Sequence, residues 1–176
     1  MGKLIIALLI ALPMSALAFV KQGFYEIDNT GWVVKTAPSG DVFICEACPD
    51  MVQVQMSYGP EAGRDSPFKS NSDFIRAFST KQKKEEFAKM LLDSSFPTSG
   101  FEVDIIRVDE DHIGNLKALR YSATVKMPDG NTARETTLVA MHKNRLVKFS
   151  ANFFDEKLSE KSATYLDRLH SSIVLF

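Results

Sequence analysis

The stretch 116-LKALRYSATVKMPDGNTARETTLVAMHKNRLVKFSANF-153 decides the fold. Leu119, Tyr121, Ala123, Val125 and Met127 occupy alternate positions, the period of a half-buried strand. Pro128-Asp129-Gly130-Asn131 then turns the chain, since Pro presets φ and Gly accepts φ above zero. Thr132 to His142 reads as the return strand, Lys143-Asn144 as a second turn, and Arg145 to Phe153 as the next strand. Phe149, Ala151 and Phe153 share one face of that last strand, and Phe154 lies opposite. Apolar residues on both sides predict a central strand covered on both faces, in competition with an exposed apolar patch for a partner.

Outward from this meander, Phe101 to Val108 is expected to be a strand and Asp109 to Asn115 a turn. The earlier part of the chain also reads as β. Gly31 to Lys35 and Asp41 to Cys45 are strand candidates, and Met51 to Tyr58 alternates Val52, Val54, Met56 and Tyr58 against Gln53, Gln55 and Ser57. Gly59 to Ser70 is loop-like. Between the β regions lies helix. Ser72 is placed to cap a segment through Phe78, and Ser79 with Gln82 forms a capping-box pattern for another carrying Phe87, Met90, Leu91 and Phe96. Asp155 is the expected cap of a final helix with Leu158, Tyr165, Leu166 and Leu169. Strands and helices segregate, which predicts an α+β fold: an antiparallel β-sheet meander covered by helices.

The first eighteen residues have the form of an export signal. Lys3 is followed by the apolar run Leu4 to Leu12, a Pro13 break, and the small-x-small pattern Ala16-Leu17-Ala18. The run is shorter than the roughly twenty residues of a membrane span. Residues 1–18 are therefore expected to be a cleaved signal peptide, and 19–176 a single α+β domain in the periplasm or, alternatively, secreted, without stable membrane insertion. The two parts sum to the 176-residue chain.

With 21 basic and 22 acidic side chains and no long block of one sign, the chain lacks the basic stripe of a nucleic-acid binder. The only cysteines, Cys45 and Cys48, stand in a C-x-x-C, and an oxidising compartment favours a disulfide between them. Catalytic pairs draw their reactivity from a helix that begins at the first cysteine. Here Pro49-Asp50 and a strand follow, so a structural disulfide is expected, with a thiol–disulfide redox protein as an alternative. A zinc site on the pair would need two distant ligands, for which His112 or His142 have no supporting spacing. The three histidines, His112, His142 and His170, fall in different elements: a turn, a strand end and a helix. The segment Asp109-Glu110-Asp111-His112-Ile113-Gly114 fits a calcium loop at positions 1, 3 and 6. It places Ile113 at position 5 and Arg120 where a bidentate Glu is required. HExxH, G-x-S-x-G, P-loop and GxGxxG patterns are missing. No catalytic, cofactor-binding or metal-binding residue is assigned.

The helix around Phe87 to Leu92, the meander from Phe101 to Phe153 and the ending Leu169-His170-Ser171-Ser172-Ile173-Val174-Leu175-Phe176 together resemble the PsbP/Mog1-like superfamily, in particular its small exported bacterial members. The resemblance spans roughly residues 30 to 176 and is one of architecture. A cysteine pair in the first hairpin departs from the pattern. The resemblance implies an α/β/α sandwich and a non-enzymatic binding or accessory factor whose partner is another envelope or secreted protein. Service to an envelope or secretion complex and immunity to a toxin both fit. A small-ligand-binding module is a further alternative.

Overall fold

A computed structural model describes residues 18–38, 40–63, 66–95, 100–154 and 157–176. Its larger sheet has seven strands: β3 (Trp32–Ala37), β4 (Gly40–Cys45), β5 (Val52–Glu61), β6 (Glu102–Ile113), β7 (Leu116–Lys126), β8 (Thr132–His142) and β9 (Arg145–Phe153). Their order across the sheet is β3-β4-β5-β9-β8-β7-β6, and every neighbouring pair is antiparallel. Two meanders, β3–β5 and β6–β9, are thus joined side by side through β5 and β9. A smaller sheet is built from β1 (Ala18–Lys21), β2 (Tyr25–Asp28) and β10 (Val174–Leu175), with β2 in the middle. Helices α1 (Asn71–Ala77) and α2 (Lys81–Ser95) precede the second meander, and α3 (Glu160–Ser171) follows it.

The alternating positions sort the core into two layers. On one face of the large sheet, Phe43, Val54, Met56, Val147, Phe149 and Ala151 pack against Leu169 and Ile173 at the α3 end and against Tyr25 and Ile27 of the small sheet. The His170 ring lies 5.2 Å from that of Phe149, which seats α3 over β9. On the other face, Leu119, Val139 and Met141 pack against Phe74 and Phe87, while Tyr121 and Ala123 pack against Ala88 and Leu92. The layering is therefore α+β, helices on both faces of an antiparallel sheet.

The turns follow their chemistry. At the β7–β8 turn Gly130 takes φ +87° and the Met127 amide donates to the Asn131 carbonyl at 2.7 Å. Lys143 and Asn144 join β8 to β9 with φ of 47° and 59°, the two positive values a tight two-residue hairpin needs.

Several local expectations are corrected. The acidic run Asp109–Ile113 is strand, and only Gly114 and Asn115 turn. The register sets Arg120 opposite Asp109, and its guanidinium donates to Asp109 at 2.6 and 2.7 Å and to Asp111 at 2.8 Å. These cross-strand pairs let a carboxylate-rich segment stay extended, and they occupy the oxygens the calcium-loop alignment would have needed. His112 accordingly stands in a strand. β5 runs three residues past Tyr58, because beyond a bulge Glu61 still pairs with Arg145.

The helix caps shift as well. Ser70, not Ser72, caps α1, accepting the Asp73 amide at 3.1 Å. Thr80 Oγ1 accepts the Lys83 amide at the start of α2, while Gln82 pairs with Glu86 instead of closing a box with Ser79. α3 starts at Glu160 with Ser159 as its cap; Asp155 lies outside the described residues. Met90 is 57% exposed, because the buried stripe of α2 runs through Phe87, Ala88 and Leu92. Phe96 is not among the described residues.

Candidate functional site

Helices α1 and α2 cover only part of their sheet face. They rest on β6, β7 and the Val139–Met141 end of β8, and beyond Tyr121 and Ala123 their cover ends. The remaining area forms an open cleft of about 320 Å³. Its floor comes from alternate positions of three neighbouring strands. The β5–β9 register places Gln53 opposite Asn152 and Gln55 opposite Ser150, and the β8–β9 register places Glu135 opposite Asn152. Val125 of β7, Met127 just past its end, Phe101 and Phe154 supply apolar walls, and Ser95 at the end of α2 closes one side.

β9 thus corrects the expectation of a strand covered on both faces. It is central in the sheet, and Val147, Phe149 and Ala151 are buried on one side. Its other side carries Lys148, Ser150 and Asn152 toward the cleft and ends at Phe154, which is 50% exposed.

Glu135 is the cleft's one acidic group among the described lining residues, and it is 6% exposed. Its Oε1 accepts the Tyr121 hydroxyl at 2.9 Å and the Thr137 hydroxyl at 2.7 Å; Thr137 Oγ1 lies 2.9 Å from Ser150 Oγ. Neither of those bonds uses Oε2. Among the described residues no donor bonds Oε2, and Glu135 lines the cleft. Burial, with the Glu135 carboxylate beside it, pushes the Tyr121 phenol well above the ordinary tyrosine range. Tyr121 stays a neutral donor.

A second polar cluster sits where the small sheet meets the large one. Asp41, 1% exposed, accepts the Tyr25 hydroxyl at 2.7 Å and pairs with Lys21 at 3.2 Å. Burial and then this carboxylate raise the Tyr25 phenol, and burial pushes Tyr58 up to about 12. Asp41 is paired on both sides, so the cluster works as a lock between β1–β2 and β4. The cavity beside it holds about 170 Å³.

Cys45, the last residue of β4, and Cys48, in the turn that leads to β5, lie at disulfide distance. The turn is tied down from two directions. The Glu46 and Ala47 amides both donate to the Gly31 carbonyl, and the Tyr165 ring lies so close that a Cβ on Gly31 would sit 2.6 Å from it. Asp50 accepts the Ser159 amide at 2.7 Å and its hydroxyl at 2.6 Å, fixing the start of α3. These bonds hold the Asp50 carboxyl below the usual range. The element after Cys48 is a strand, so neither cysteine heads a helix of its own as in catalytic pairs.

The histidines are not brought together around a site. His142 Nε2 meets the Phe176 carbonyl and His170 Nε2 the His112 carbonyl, each at 2.7 Å. A carbonyl only accepts, so both rings carry their proton on Nε2. They pin the C-terminal segment. Among the described residues, no three His, Cys, Asp or Glu side chains are grouped to hold a metal, and no helix is long and apolar enough to cross a membrane.

The cleft escaped sequence reasoning, although its signal is in the sequence. Glu135, Thr137, Lys148, Ser150 and Asn152 are polar at alternate positions of strands that lie inside the sheet. Polar side chains on an interior strand mark a face that no helix covers.

No protein-family model and no curated protein matches the chain. Solved structures do. Cyanobacterial PsbP (CyanoP) from Synechocystis superposes with a TM-score of 0.54 at 15% identity, covering 91% of this chain and 92% of that one. A Mog1 protein variant superposes with a TM-score of 0.52 at 9% identity, covering 92% and 96%. A Bacteroides thetaiotaomicron protein gives 0.53 at 8% identity, and this chain spans about half of its length, 49%. Two full-length superpositions, together with helices on both faces of an antiparallel sheet, give the chain the PsbP/Mog1-like fold.

Proposed function

We propose that this chain is exported and works outside the cytoplasm as a non-catalytic factor that binds another envelope or secreted protein. The observation that carries the reading is the half-covered sheet face. Folding leaves a polar floor with apolar walls open to solvent in the middle of the sheet, beside the cluster that α2 buries. Such a surface serves binding, because a core-forming face would carry apolar side chains there. The signal-like segment 1–18 supports a periplasmic or secreted location. In this reading residues 19–176 act as one domain, and service to an envelope complex and toxin immunity are both open to it.

The Cys45–Cys48 pair fits the same reading as a brace. It fixes the turn on which Tyr165 and Ser159 of the α3 segment rest. A reduction potential below about −300 mV is the expected result, and a value near those of oxidoreductases would make the pair a redox centre instead.

The test is affinity purification of the mature protein from its native envelope at natural expression level, followed by mass spectrometry. A stoichiometric companion protein is expected. A preparation with no companion would overturn the reading. The cleft volume lies at the lower end of the range for small-molecule sites, about 300–1,000 Å³, which favours a ligand module as the second reading. A thermal shift on adding a metabolite extract would then be its mark.

A further inference from the structure

Glu135 is chemically unfinished. A carboxylate more than nine-tenths buried is costly to hold charged unless its oxygens are bonded and its charge is matched. One oxygen is served twice, by Tyr121 and Thr137. The other takes no bond from a described residue, and Glu135 lines the cleft. Among the described residues no cation pairs with Glu135. The one basic side chain of the lining is Lys148. Lys148 stands four residues along β9 from Asn152, the residue opposite Glu135. At about 3.3 Å per residue the two Cα positions are roughly 13 Å apart. Lys148 therefore marks the far end of the cleft and leaves the Glu135 end without a counter-charge.

We propose that the Glu135 end of this cleft receives an arginine side chain from the partner protein. A guanidinium offers five N–H donors in one plane and no acceptor. The cleft offers the matching set: the free carboxylate oxygen of Glu135 and the amide oxygens that Gln53 and Asn152 carry beside it. Val125 and Met127 give the three methylenes of the stem an apolar wall. Lys148 at the far end repels a second cation and restricts the insertion to one basic residue. The inference rests on the partner-binding reading above, and it names the group that the partner contributes.

The experiment is an amide-resolved NMR titration of the mature protein with the neutral-flanked peptide acetyl-Gly-Gly-Arg-Gly-Gly-amide. The same peptide with citrulline, which keeps the shape and loses the charge, serves as control. Saturable shifts confined to the 133–137 and 148–152 segments are expected, with affinity at least tenfold weaker for the citrulline peptide and for Glu135→Gln. No saturable shift, or equal binding of the citrulline peptide, overturns the proposal. Equal binding of free arginine amide also overturns it, since a small cation would then be the occupant. If Glu135→Gln loses native dispersion, the carboxyl carbon resonance of Glu135 in the unaltered protein decides the same question. It is expected to move with the arginine peptide and stay still with citrulline; a resonance that ignores both peptides overturns the proposal. A companion captured equally by the unaltered protein and by Glu135→Gln would leave the partner reading standing and remove this one.

Discussion

Two ends of one sheet face behave differently. At the end of β8 nearest His142, Val139 and Met141 are buried beneath α1 and α2. A few residues back along the same strand and the same face, Glu135 lines the open cleft with Thr137 buried beside it, and across the register Ser150 and Asn152 line it too. Strand geometry is the same at both ends, so the difference is one of cover. Where the helices lie above β8, the alternate positions Val139 and Met141 are apolar and packing stabilises them. Where none does, the position is polar and its hydrogen bonds must be satisfied one by one. The first end can be described by area; the second has to be described by donors and acceptors.

The covered end should be the costlier to damage. Phe74 is fully buried, in ring contact with Phe68, Phe78 and Phe87. Phe74→Ala is expected to cost about 3–5 kcal/mol in urea unfolding, and a loss near that of a surface change would mean that α1 is not the seal described. At the boundary, Glu135→Ala leaves the Tyr121 hydroxyl without its acceptor and should cost about 1–3 kcal/mol. A neutral result would show that the network contributes no stability.

A smaller effect joins α2 to the sheet edge. Glu110 pairs with Lys84 of α2 at 2.6 Å and with Lys117 at 2.5 Å, and the Lys117 bond first, then that of Lys84, lowers its pKa from the ordinary 4.5. A lowered folded-state pKa means stability that is fully present above about 4.5 and is lost as pH falls through the lower folded value. Glu110→Gln should cost up to about 1 kcal/mol near neutrality and flatten the acid side of the stability profile. An unchanged acid slope would count against the pairing. Least of all, Gln55→Ala on the open floor should stay within about 0.5 kcal/mol, with any consequence confined to binding.

The second meander is legible in the sequence down to its turns, because Pro128-Asp129-Gly130-Asn131 and the alternation around it are local signals. β3, β4 and the body of β5 can be read in the same way. The small sheet cannot, since β1, β2 and β10 are four residues or shorter and β10 joins β2 only by pairing across the whole chain. The acidic strand looks like a turn in the sequence because its stabilising partner, Arg120, lies eleven residues from Asp109 on another strand. The cleft is hidden for a related reason. Polar alternation in β8 and β9 carries its meaning only once both strands are known to be interior and α2 is known to stop at Ser95. Helix caps shift by one or two residues, as expected where Ser70, Ser72, Ser79 and Thr80 all compete for nearby amides.

The joining of β5 to β9 also bears on when the molecule can form. Val52 lies opposite Phe153, and Tyr25 opposite Leu175, so the middle of the large sheet and the third strand of the small one wait for late segments of the chain. The Phe176 amide donates to the Phe24 carbonyl, which ties the last residue to the loop between the first two strands. A chain lacking residues 145–153 has two separate meanders in place of one seven-stranded sheet, and distant pairings of this kind fold slowly. This ordering works as a timer: the large sheet closes through β9 only after its six other strands are present.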